Sequence, residues 1–189
     1  MSEPRSVSAM STTTVRPLRR AEYDLLVAHG AFEGERIELL DGDPVEVSPQ
    51  DARHASVIET LTEHLLPALV GRARVRVQLP LAAGELSEPE PAIAVVPSDE
   101  PRDVHPARAL HVIEVAASSV RHDLTRKAAV YAAAQVPVFW VIDLSAWIVH
   151  VHTVPVDGRY TEVARHGPDD VLDVAGVPLR LGDLDLGGI

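Results

Sequence analysis

The stretch ALHVIEVA, residues 109–116, followed by HDLTRKAAVYAAAQVPVFWVID, residues 122–143, decides the fold of this chain. ALHVIEVA and VFWVID (138–143) are almost continuously apolar, which is typical of strands that are covered on both faces of a sheet. The segment between them predicts a helix from about residue 123 to about residue 135. Because a helix that joins two such strands requires a crossover connection, we expect the two strands to be parallel.

The flanking segments predict an α/β protein with a mixed sheet and flanking helices. Apolar spacing predicts helices over residues 18–29 and 53–70, and Asp41-Gly42 between two short apolar runs predicts a hairpin. We expect one domain over residues 18–189, preceded by a disordered Ser/Thr-rich tail of residues 1–17. Further strands, which we expect to pair antiparallel, are predicted at RVRVQLPLA (74–82), AIAVV (92–96), WIVHVHT (147–153) and RYTEVAR (159–165). VLDVAGVPLRL (171–181) predicts a hairpin or a pair of short strands.

Composition and charge limit the classes of function. The 189 residues contain no cysteine, which excludes disulfides and thiolate metal sites and favours a cytoplasmic location. No apolar run approaches the roughly 20 residues that a membrane helix needs, and we expect no secretory signal because the N-terminal segment lacks an apolar core. The net charge of −11 argues against non-specific coating of DNA, since affinity for phosphates comes from Lys and Arg. It is compatible with a site that neutralises phosphate with metal ions.

One strand acid and one helix face carry the candidate chemistry. Glu114 is the single acid of ALHVIEVA, and a buried unpaired charge is unfavourable unless it binds a metal ion or a lysine. Asp123, Lys127 and Tyr131 follow at i, i+4 and i+8, so they lie on one side of the predicted helix. Carboxylates hold Mg²⁺, and a nearby cation stabilises developing charge, so Glu114 and Lys127 are candidates for phosphodiester hydrolysis. A structural ion pair of Glu114 with Lys127 or Arg126 is the alternative.

These segments together resemble the Uma-two family of restriction endonucleases, which belongs to the PD-(D/E)XK nuclease superfamily. The resemblance rests on ERIELLDGDPVEVSP, an RH pair that opens a helix, EPEPAIAVV and the two stretches quoted above, and it covers about residues 17–165. It implies a restriction-endonuclease-like α/β core and hydrolysis of DNA by water with Mg²⁺ or Mn²⁺ as cofactor. By the same resemblance we expect a homodimer.

The resemblance also implies roles for individual residues. Glu38 corresponds to the early strand glutamate of the family, and Glu114 to the acid of the superfamily name. Lys127 corresponds to the family lysine, which lies on the helix, whereas Ala116 stands two residues after Glu114. The expected catalytic residues are therefore Lys127, Glu114 and Glu38, with Glu114 also a metal ligand. The residues expected to support the site or contact substrate are His54 and Tyr131, which match family positions, and Asp123, which shares the helix face of Lys127.

Position 92 departs from the family pattern. There the family reads Pro-Asp before an apolar strand, and this chain reads Pro91-Ala92, so the expected metal-binding aspartate is missing. Glu90, on the same side of an extended strand, is the candidate replacement metal ligand, although it starts roughly 6–7 Å further along the chain. Two hypotheses follow: a metal-dependent endonuclease that Ala92 impairs, and a catalytically inactive nuclease-fold module that binds DNA or protein. The ordered set of motifs disfavours a third, a purely structural β-rich domain.

Two other polar groups have simple structural interpretations. His150 and His152 share one face of WIVHVHT, and we expect that face to be exposed and not to form a metal site. Arg72, Arg74 and Arg76 share the polar face of their strand. We expect these arginines to guard a strand edge and not to contact phosphates.

Overall fold

The fold is a mixed α/β arrangement, which a computed structural model describes over residues 15–47 and 49–184. The tail predicted to be disordered spans residues 1–17, and residues 1–14 of it lie outside the described residues. The helices are α1 (Arg20–Ala28), α2 (Ala52–Leu69), α3 (Val120–His122) and α4 (Ala128–Ala133), with a π-helical turn (Asp123–Lys127) between α3 and α4 and a 3-10 helix (Leu181–Leu184). The strands are β1 (Ile37–Leu40), β2 (Asp43–Glu46), β3 (Ala73–Val77), β4 (Ile93–Pro97), β5 (His111–Ala116), β6 (Val138–Asp143), β7 (Ile148–Val156), β8 (Arg159–His166), β9 (Val171–Val174) and β10 (Val177–Arg180).

A six-stranded sheet in the order β3-β4-β5-β6-β7-β8 forms the centre of the fold. β5 and β6 are parallel, with Ile113 opposite Trp140, and the other neighbours in the sheet are antiparallel. The predicted mixed sheet, its parallel pair and its flanking helices are therefore confirmed. Two separate hairpins, β1-β2 and β9-β10, complete the described strands.

Helices cover the central strands on both faces of the sheet. On one face, Leu61 and Leu65 of α2 pack against Ile113 of β5, and all three are fully buried. On the other face, Tyr131 of α4 packs among the side chains of the central strands, including Phe139 of β6. All six residues of β5 are buried as a result. A carboxylate on this strand is therefore removed from water and needs a partner.

The β1-β2 hairpin turns at Asp41 and Gly42, as predicted. Both residues have positive φ angles, 50° and 82°, which a two-residue hairpin turn of the type I′ class requires. Arg126 of the π-helical turn donates to the carbonyl of Leu40 and to the carboxylate of Asp43, each at 2.6 Å. These bonds hold the hairpin against the helix, and they place the side chains of β1 close to β5.

Two predicted boundaries are wrong. The strand predicted over residues 74–82 ends at Val77, because Gln78 adopts a φ of 50° and breaks the extended backbone. Leu79 is consequently 46% exposed and does not face the core, whereas Leu81 is buried. The helix predicted from about residue 123 begins at Val120 and passes through the π-helical turn.

The predicted exposure of His150 and His152 is also wrong. Both histidines lie on β7, an inner strand of the sheet, and are 5% and 6% exposed. Their side chains share the face that α4 covers, since His152 lies opposite Phe139 across the β6-β7 pair and α4 contacts β7.

None of the helices in the described part of the chain has the length and apolarity that crossing a bilayer requires.

Candidate functional site

A cavity of about 350 Å³ opens where β1, β5 and the π-helical turn meet. Glu38 of β1, Glu114 of β5 and Lys127 at the end of the π-helical turn all line it. The structure therefore brings together the three residues expected to be catalytic. The charged residues that line the cavity are the acids Glu38, Glu46, Asp51, Glu90, Glu114 and Asp123 and the bases Arg36 and Lys127.

Lys127 lies between the two strand glutamates. Its Nζ is 3.0 Å from Oε1 of Glu114 and 3.1 Å from Oε2 of Glu38. Burial alone would lower the pKa of the Lys127 ammonium, but the charges of Glu114 and Glu38 outweigh burial and raise it. Burial raises the pKa of the Glu38 carboxyl, and the Lys127 charge opposes that shift. The ammonium is thus the cation that compensates two buried carboxylates.

The oxygens of Glu114 both have protein partners. Oε1 accepts from Lys127 Nζ and from the hydroxyl of Tyr131 at 2.7 Å, and Oε2 accepts from the main-chain N–H of Ala92 at 3.4 Å. Burial, followed by the charge of Glu114, raises the pKa of the fully buried Tyr131 well above its usual value. Tyr131 therefore remains a hydrogen-bond donor and fixes the orientation of the Glu114 carboxylate.

Ala92 lies directly before β4 and close to Glu114 of β5. The register pairs Ile93, the first residue of β4, with Ile113, the residue before Glu114. The main-chain N–H of Ala92 reaches Oε2 of Glu114, and both residues line the cavity. The side chain at position 92 is a buried methyl group and adds no oxygen to the site.

Glu90 lies in the same cavity but has different partners. Its main-chain N–H donates to Oε2 of Glu38 at 3.2 Å, and its carboxylate lies 3.9 Å from the guanidinium of Arg36. Burial raises the pKa of the Glu90 carboxyl, and the charge of Arg36 opposes that shift. The backbone of Glu90 therefore hydrogen-bonds the carboxylate of Glu38, and the side chain of Glu90 pairs with Arg36.

Asp123 is a buried carboxyl at the start of the π-helical turn. Its Oδ2 accepts from the hydroxyl of Ser119 at 2.9 Å. Burial, followed by the charge of Glu114, raises the pKa of Asp123 to about 7. The sequence analysis does not single out Ser119. A serine four residues before an aspartate, at the start of a helix, is nevertheless a recognisable signal of a local hydrogen bond.

His54 lines the cavity from the first turn of α2. Its main-chain N–H donates to the carboxylate of Asp51 at 2.8 Å, which caps the helix. Burial lowers the pKa of the His54 imidazole, so it is neutral at pH 7. Gln78 also lines the cavity, and nothing in the alternating sequence around it predicts this position.

The donor set that is present does not fit a divalent metal ion. Residues 15–47 and 49–184 contain no group of three or more His, Asp or Glu side chains that could hold a metal ion. The two oxygens of Glu114 already accept hydrogen bonds, Lys127 occupies the space between Glu114 and Glu38, and Ala92 adds no oxygen. Divalent ions such as Mg²⁺ need several oxygen ligands in a defined geometry.

Comparison with known proteins places this site in a family context. The family model Uma2, described as "Putative restriction endonuclease", matches residues 20–186. The chain is also similar to a crystal structure of a putative nuclease belonging to DUF820 from Anabaena variabilis, with a TM-score of 0.67 and 16% sequence identity. That similarity covers 89% of this chain and 97% of the other, and it confirms the predicted fold class. The curated proteins contain no significant match.

Proposed function

The chain belongs to the Uma2 family, and on this premise we propose that it is an endonuclease of DNA phosphodiester bonds whose metal-dependent activity Ala92 impairs. The observation that carries the proposal is the pair Ala92 and Glu114. The main-chain N–H of Ala92 donates to Oε2 of Glu114, and the side chain at position 92 has no carboxylate to offer beside it. Mg²⁺ and Mn²⁺ are the ions suited to a site completed by an aspartate at position 92, because carboxylate oxygens are their ligands.

The proposed roles of the other residues follow from their contacts. Lys127 presents a buried ammonium, which could stabilise the charge that develops on a phosphate or orient a water molecule. Glu38 and Glu114 keep that ammonium charged and in place. Tyr131 orients Glu114 and has no proton to exchange near pH 7, so we propose a positioning role for it.

His54 and Glu90 remain in the proposal with smaller roles. The neutral imidazole of His54 lines the cavity and can hydrogen-bond a substrate there. Glu90 is proposed as a metal ligand only if its carboxylate leaves Arg36, 3.9 Å away, and turns toward Glu114. A homodimer and a cytoplasmic location also belong to the proposal, the first by resemblance and the second because the chain contains no cysteine.

A second candidate function is a catalytically inactive module that binds a protein or DNA. The observation in its favour is the charge of the cavity, which has six acids and two permanently charged bases along its lining. Such a surface repels phosphates unless metal ions neutralise it. Without a metal site the partner would more readily be a protein than DNA.

Nicking of a supercoiled plasmid in Mg²⁺ or Mn²⁺ distinguishes these functions. The variants to compare are the parent chain, Ala92→Asp, and Ala92→Asp combined with Lys127→Ala. Ala117→Asp is the matched control, because Ala117 lines the same cavity but does not face Glu114. We expect the parent to be nearly inert, Ala92→Asp to nick, and the double variant and the control to be silent.

Each other result has a defined meaning. Nicking by the parent at the rate of Ala92→Asp would show that the site is not impaired and would point to Glu90 as the completing ligand. Silence of all folded variants would remove the support for an endonuclease and favour the binding module. Folding of each variant is checked by circular dichroism before activity is compared.

A further inference from the structure

Within residues 15–47 and 49–184, no strand pairs with the outer edge of β3, which is the first strand of the six-stranded sheet. In β4, the carbonyl of Val95 accepts from the N–H of Leu110 on the β5 side. Main-chain N–H and C=O groups point to alternate sides along a strand, so those of Ala94 and Val96 point toward β3. Their partners in the register are Arg76 and Arg74, whose main-chain groups therefore bond to β4. The β3 residues whose N–H and C=O groups point to the open edge are therefore Ala73, Val75 and Val77.

Apolar side chains lie beside this open edge on the face of α2. A groove of about 340 Å³ is lined by the end of α2, by β3 and by the segment after β3. Its exposed apolar residues are Leu66, Val70 and Leu79, whose exposed fractions are 49%, 72% and 46%. Monomeric proteins normally avoid a strand edge that is both open and flanked by apolar surface.

Three arginines line the same groove: Arg74, Arg76 and Arg102. The guanidinium groups of Arg74 and Arg76 donate to main-chain carbonyls, those of Glu100 at 2.9 Å and Pro80 at 3.1 Å. The described residues that line the groove include no Asp or Glu. The groove is therefore locally basic in a chain whose net charge is −11.

We propose that the β3 edge binds an extended acidic peptide of a partner protein as an added strand. Successive residues of an added strand point to opposite faces of the sheet. One set of side chains would meet Arg74 and Arg76, and the other set would meet the apolar residues beside α2. The peptide that fits therefore alternates acidic and apolar residues.

Charge disfavours the other occupants of this edge. A second copy paired through the same edge would bring the arginines of two β3 strands together, and like charges opposite one another are destabilising. Duplex DNA would match the arginines, but it offers neither the main-chain hydrogen bonds nor the apolar side chains that the groove can accept. This proposal is independent of the proposed endonuclease activity, because the groove shares no residue with the cavity at Glu114.

Fluorescence anisotropy with the full chain tests the proposal. The probe is a short fluorescein-labelled peptide in which aspartate alternates with valine, and the control peptide carries lysine in place of aspartate. Arg102→Glu reverses an exposed charge in the groove, and Arg121→Glu makes the same change at an exposed position outside it. Ala73→Pro removes an N–H at the open edge, at the first residue of a strand, where proline is tolerated.

Binding of the aspartate peptide alone is the expected result. Arg102→Glu should weaken it by about fivefold or more, Ala73→Pro should weaken it with retained folding, and Arg121→Glu should leave it unchanged. Equal binding of both peptides, or equal loss in the two arginine variants, would overturn the proposal. Two further results would overturn it. One is affinity for duplex DNA that depends on Arg102, without binding of the peptide. The other is a dimer of the parent chain that Ala73→Pro dissociates.

Discussion

The main-chain nitrogen of Ala92 lies 3.4 Å from Oε2 of Glu114 and donates a hydrogen bond to it. This contact joins the residue directly before β4 to Glu114 of β5. The backbone thus supplies a hydrogen-bond donor to this buried carboxylate oxygen. Glu114 is held by protein donors alone, and its second oxygen is shared between Lys127 and Tyr131.

Replacing Lys127 by methionine should destabilise the protein strongly. The change leaves Glu114 and Glu38 buried without their shared cation, and breaking a buried ion pair from one side costs about 3–5 kcal/mol. Urea unfolding measures the loss of free energy of unfolding. Adding Glu114→Gln to Lys127→Met should recover part of the loss, because only one buried carboxylate, that of Glu38, is then left without the cation. A loss below about 1 kcal/mol in the single variant would place Lys127 outside a buried pair.

Tyr131→Phe should cost more stability than Tyr160→Phe. The hydroxyl of Tyr131 donates to a buried carboxylate at 2.7 Å, and such a bond contributes about 1.5–3 kcal/mol. The hydroxyl of Tyr160 donates to the neutral carbonyl of Val136 at 2.8 Å, a kind of bond that contributes about 0.5–1.5 kcal/mol. Chemical unfolding of both variants provides the comparison. Equal losses would contradict a stronger hydrogen bond at Tyr131 than at Tyr160.

His111 should make stability depend on pH. Its ring is 1% exposed and packs edge-on against Trp140, and burial lowers the pKa of its imidazole to about 3. The folded state therefore holds His111 neutral, while the unfolded state takes up a proton below its usual pKa of 6.5. The contribution of His111 to the free energy of unfolding is therefore fully present above pH 6.5 and is lost as the pH falls toward 3.

His111→Phe isolates this contribution, because phenylalanine keeps an aromatic contact with Trp140 and cannot titrate. The stability of the parent relative to this variant should fall by about 2 kcal/mol between pH 7 and pH 5, at about 1.4 kcal/mol per pH unit and proton. Urea unfolding of both proteins at the two pH values measures the difference. A difference that does not change with pH would show that His111 is protonated in the folded state or accessible to water.

The sequence predicts the sheet because its central strands carry a strong local signal. The apolar runs around Ile113 and Trp140, with a helix between them, leave few alternatives to a parallel pair. The alternation after Val77 predicts a longer strand, but a positive φ at Gln78 ends it, and a single backbone angle leaves no periodic signal. His150 and His152 alternate with apolar residues as an exposed face would. Their burial depends on tertiary packing, in which the ring of His152 contacts the rings of Phe139 and Tyr160.

The candidate site divides in the same way. A lysine reaching the strand glutamate follows from one strand and the helix after it, so Glu114 and Lys127 are predictable as a pair. The approach of Glu38 depends on the docking of a distant hairpin through Arg126, which no local pattern encodes. The hydrogen bond from the main-chain N–H of Ala92 to Glu114 likewise depends on how the strands align, which the local sequence does not encode.

Binding of Mn²⁺ measured by isothermal titration calorimetry tests the central claim most directly, that the missing carboxylate at position 92 keeps a metal ion from the site. The comparison is between the parent, Ala92→Asp and the cavity control Ala117→Asp. We predict that Ala92→Asp binds Mn²⁺ and that neither the parent nor the control binds it up to millimolar concentration. Binding of Mn²⁺ to the parent with the affinity of Ala92→Asp would contradict the account.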